Sequence, residues 1–126
     1  MSITGQKDLV AKVTRKIFEE ATASSLGSTF HLIISFHLKK KFGKDPYEIL
    51  IDDPKIFYNG LREILGEGAE AIISLVGTFI TVKYRTSCTA DEFTKLFTRS
   101  SEASKQQLTQ IFTDLIKQEE NKIKAT

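Results

Sequence analysis

The chain has 126 residues, with 18 Lys plus Arg against 16 Asp plus Glu and a formal net charge of +2. That length fits one domain, 1–126, and 40% hydrophobic with 27% charged residues is the profile of a globular chain, not a disordered one. A single Cys excludes an intramolecular disulfide framework and any multi-cysteine zinc or iron–sulfur site, and two His narrow metal chemistry further.

Residues 7–23, KDLVAKVTRKIFEEATA, carry the first helical period. Leu9, Val13, Ile17 and Ala21 repeat every four positions, flanked by Val10 and Phe18, and leave Lys12, Arg15, Lys16, Glu19 and Glu20 for solvent. The SSLGS segment breaks this helix, with Gly27 as the reversal point. In the second helix Ser28 or Thr29 supplies the cap, and Phe30, Ile33, Ile34, Leu38 and Phe42 form a broad apolar face. Leu32 and Phe36 flank that face, so a helix this apolar should sit centrally among the others. Gly43 reads as its C′ residue, just past a lysine-rich end that suits the helix dipole.

Asp45-Pro46 and Asp53-Pro54 each place an N-cap acceptor before a proline at the first helical position. The first opens one or two turns. The second opens a helix running to Gly66, with Ile56, Phe57, Leu61, Ile64 and Leu65 facing inward and Gly60 marking a close approach. In residues 67–85, Ala69, Ile72, Ile73, Val76, Phe79, Ile80 and Tyr84 suit a helix, yet residues 72–84 are rich in β-branched and aromatic side chains. A lone strand has no partner within the chain, which favours helix, with an intermolecular strand as the alternative. Thr89 with Glu92 is a capping-box signature before Phe93, Leu96 and Phe97. A last helix spans about Ser101 to Lys122 around Leu108, Ile111, Phe112, Leu115 and Ile116, and its tail should fray. The expected fold is all-α, a compact bundle of six to seven helices.

Catalytic patterns are sparse. His31 and His37 stand six apart, about 120° around a helix, and lack the four-residue spacing of a one-face metal pair. They read as one partly buried and one solvent-facing helix residue. Cys88 has no sequence-near partner. The adjacent acids Glu19/Glu20, Asp52/Asp53 and Glu119/Glu120 lack the opposed geometry of a carboxylate pair. Glu63, Glu67 and Glu70 are interrupted by glycines, and the GEG at 66–68 lacks the lysine and hydroxyl of a phosphate loop. No catalytic residue, metal ligand or cofactor is assigned.

Two surface features have functional reach. Lys39, Lys40, Lys41 and Lys44, with Lys55 nearby, form a basic helix end able to touch phosphate, anionic lipid or an acidic protein surface. The apolar surplus at Leu32, Phe36, Phe79 and Val82 exceeds what a small interior holds, so a subunit interface should absorb it. No apolar run approaches the roughly 20 residues a membrane span needs, and the opening MSITGQKDLVAKV lacks signal-peptide order, which points to the cytoplasm and away from the membrane. The reading is a non-enzymatic protein-interaction or regulatory module that self-associates, most simply as a homodimer. The alternative is a nucleic-acid-binding regulator using residues 39–44, although ten basic against eight acidic residues in 1–63 is thin for a duplex binder.

Residues 31–73, with the basic ending at Phe42-Gly43, the Asp53-Pro54 start, and Leu61 through Ala69 around Gly66 and Gly68, resemble a small archaeal all-helical domain family of unknown function. That family occurs alone and as a C-terminal output module of archaeal signalling chains. The resemblance implies a helical fold and an archaeal cytoplasmic protein, and it carries over no catalytic residue.

Overall fold

A computed structural model describes residues 3–99 and 101–125, with side chains described for 7–99 and 101–120. Among them are seven α-helices and no strand: α1 Ile3–Leu26, α2 Ser28–Phe42, α3 Pro46–Asp52, α4 Pro54–Leu65, α5 Gly68–Tyr84, α6 Ala90–Thr98 and α7 Glu102–Ala125. α1 is the hub, packing on α2, α3, α5 and α7, while α4, α5 and α6 close against one another.

The helix starts follow from local chemistry. Asp45 accepts from Tyr47 N at 2.9 Å, and Asp53 accepts from Ile56 N at 3.4 Å, each ahead of its proline. At α6 the capping box is complete: Glu92 N donates to Thr89 Oγ1 at 3.1 Å, and Thr89 N donates to Glu92 Oε1 at 3.2 Å. α2 departs from expectation here. Its N-cap is Gly27, at φ 89°, and neither Ser28 nor Thr29 makes a side-chain cap.

Residues 72–84 belong to α5, a helix throughout, because Ala69, Ile73, Val76 and Ile80 form a buried stripe at helical spacing. Gly77 lets α6 approach closely: a Cβ there would stand 3.1 Å from the Ala90 Cα and 3.0 Å from the Phe93 ring. Gly60 does the same for Phe42, whose ring tip would lie 2.6 Å from an added Cβ. The core runs through Phe18, Tyr47, Phe57, Phe97, Phe93 and Phe112, successive rings 5.2–6.4 Å apart at tilted or edge-on angles. Buried Thr14, Thr22 and Thr94 return their hydroxyls to the carbonyl four residues back, at 2.7–2.8 Å, so burial leaves those groups satisfied.

Three inward assignments are corrected. Leu9, Ile33 and Ile56 are about half exposed, because the buried faces of α1, α2 and α4 centre instead on Val10–Thr14–Ile17, His31–Ile34–Leu38 and Phe57–Leu61. Nor does α2 sit centrally: it lies on the outside of the bundle and buries one narrow face. α7 extends to Ala125, past Lys122; the fraying expected of its tail concerns side chains 121–126, outside those described.

Candidate functional site

α2 buries His31, Ile34 and Leu38 on the side that packs on α1, α3 and α4 and turns its opposite side to solvent. At 100° per residue, Leu32, Ile33, Phe36, Lys39 and Lys40 fall on that outer side, apolar toward the N-terminus and basic toward the C-terminus. Leu32 is 68% exposed, Phe36 64% and Ile33 51%, a contiguous apolar strip unlike the scattered single residues normal on a surface.

Beside this strip lies a cleft of about 470 Å³ between α1, α2 and the start of α3. Buried His31 and Tyr47 and half-buried Ser35 bring polar atoms together in it. The Tyr47 hydroxyl lies 2.9 Å from His31 Nε2, and the Ser35 hydroxyl is 3.3 Å from the same nitrogen. Burial holds His31 below the usual imidazole range and favours the neutral ring, whose tautomer sets whether Nε2 donates or accepts in these contacts. Burial likewise pushes the Tyr47 phenol well above its ordinary value, and the hydroxyl remains a donor. Arg15 closes one wall: it pairs with Asp45 and sits 5.9 Å from the centre of the Tyr47 ring. Glu19 and Lys39 also line the cleft, and among the described residues neither makes an ion pair.

The lysine end is divided. Lys39, Lys40, Lys41 and Lys44 are all exposed, and Lys41 is held by Glu63 of α4. Lys55 does not join them; it donates to the Thr98 carbonyl at 2.6 Å at the end of α6. The other interface candidates lie on α5. Val82 is 74% exposed, whereas Phe79 is half-buried against the core with the Lys83 ammonium 5.5 Å from its ring centre. Neither lines the cleft that Leu32 and Phe36 border.

His31 is buried and His37 is exposed, edge-on to Phe36. Among the described residues no group of three His, Cys, Asp or Glu converges to hold a metal ion. Cys88 is half-buried, and burial together with Glu92 raises its thiol pKa, the opposite of nucleophile activation. None of the described helices is long and apolar enough to cross a membrane. The Tyr47, Ser35 and Glu19 contributions to the cleft escaped sequence reasoning. Only Ser35 left a signal, as a lone hydroxyl one turn beyond His31 in an apolar run.

Comparison with known proteins returned no matching family model, no matching curated sequence and no matching solved structure.

Proposed function

We propose that this chain is a non-enzymatic helical module that works through protein contacts, with the outer face of α2 as its contact surface and a second copy as its simplest partner. The observation that carries this is the strip of Leu32, Ile33 and Phe36, three large apolar side chains left at 51–68% exposure side by side on one helix, where Leu9, Leu26, Ile56 and Val82 stand on other elements. Covering what remains exposed of such side chains contributes about 1–2 kcal/mol each, so the six of a symmetric pair gain about 6–12 kcal/mol gross. Association costs roughly 4–15 kcal/mol. The balance places self-association in the micromolar range or weaker, the regime of a reversible regulatory contact.

Light scattering across a dilution series tests this. A mass climbing from 14.2 kDa toward twice that value between about 10 and 300 μM supports the reading. A mass fixed at one chain throughout contradicts it.

The nucleic-acid reading is favoured by one observation: Lys39, Lys40 and Lys44 are exposed and unpaired among the described residues. Polyanion binding that weakens steeply with salt, and is lost when all four lysines become Gln, would establish it. The kinship of residues 31–73 with archaeal output domains, and the cytoplasmic placement it implies, belong to the same proposal and rest on cap and core residues alone.

A further inference from the structure

The outer face of α2 carries both halves of a self-complementary joint. The α2 residues along the cleft rim, Leu32, Ser35, Phe36 and Lys39, stand at i, i+3, i+4 and i+7. That spacing is the four-cornered hole that receives one side chain of a facing helix. Phe36 is also the most projecting aromatic of the same face, so hole and knob coincide on one patch, as a two-fold joint requires.

Charge selects the direction of pairing. A parallel arrangement would set the lysine ends of the two α2 helices side by side, like against like. An antiparallel one separates them. With the two-fold axis near the middle of the 32–39 hole, Lys39 and Lys40 of one copy come opposite residues 31–32 of the other. There Glu19 shares the cleft wall with His31 and Leu32, without an ion pair of its own among the described residues. The one unpaired acid of the cleft thus waits where the second copy brings unpaired cations.

We infer that two copies pair through antiparallel α2 helices, with Phe36 of each seated in the 32–35–36–39 hole of the other and Lys39 or Lys40 reaching Glu19 across the joint. This rests on the self-association reading above and adds its register. The joint is shallow and bordered by charge, so it is weakened by salt as well as by loss of the knob.

Sedimentation velocity on the full chain tests it, with far-ultraviolet circular dichroism confirming that each variant folds. Phe36→Glu should give the single-chain mass at loadings where the parent pairs. Glu19→Lys alone, and Lys39→Glu with Lys40→Glu, should each weaken pairing about tenfold. Combining the three charge changes should restore pairing to within about threefold of the parent. A parent that pairs but is indifferent to the Phe36 change, or charge variants whose losses add without rescue, overturns this joint while leaving self-association standing. A parent that never pairs overturns both.

Discussion

His31 couples the cleft to pH. Its imidazole is buried against Tyr47 and Ser35, and burial lowers its pKa from the ordinary 6.5. Below pH 6.5 the unfolded chain therefore takes up this proton before the folded chain does. Stability conferred by neutral His31 is complete above pH 6.5 and is lost as pH falls toward its folded pKa. Urea unfolding between pH 5 and 7.5 should show a midpoint that drops as pH falls, and His31→Gln should flatten that slope. An equal slope in the variant would place the titration elsewhere. Gly60 offers a second check at this scale. Gly60→Ala gains up to about 1 kcal/mol of helix propensity, but its Cβ meets the Phe42 ring at 2.6 Å. Overpacking of this kind costs about 1–3 kcal/mol, so a net loss near 1 kcal/mol is expected, read as a lowered denaturation midpoint. A more stable variant would show that Phe42 moves aside freely.

At the scale of elements, caps hold the register of the short helices. α6 has only nine residues, so the reciprocal Thr89–Glu92 bonds weigh heavily in it. Thr89→Ala should cost about 1 kcal/mol, seen as a lower thermal midpoint with Phe93 and Phe97 still in the core. These caps were legible because their chemistry is local: an acceptor, a proline or a glutamate at fixed offsets. Inward faces were less legible, for a physical reason. α2 is apolar almost all round, so its period could not say which side meets α1, and Ile33 was placed inside while His31 took the buried seat. On α1 the stripe holds at Ile17 and Ala21, and only its first member, Leu9, faces out, with the flanking Val10 buried in its place. The β-branched run 72–84 became helix because its partners are the helices α1, α4 and α6, with no second strand in reach among the described residues.

For the whole molecule, the aromatic interior and the central α1 make a bundle that does not need α2's outer face for its own stability. Spare apolar surface on a peripheral helix is what the proposed contact would cover. The cleft beside it was invisible in sequence, since His31 and Tyr47 meet across 16 residues, Asp45 caps the helix that carries Tyr47, and Glu19 enters from α1. What sequence did expose was the pairing of a greasy helix with a lysine end, Leu32 and Phe36 ahead of Lys39 to Lys44.

The most direct test of that account is a concentration series of amide NMR spectra of the unmodified chain. Contact through α2 predicts that resonances of Leu32, Ser35, Phe36 and Lys39, with Glu19 on the neighbouring helix, move or broaden as concentration rises, while α6 and the buried side of α1 stay fixed. Spectra independent of concentration, or changes centred on Val82 and the exposed side of α5, would contradict it.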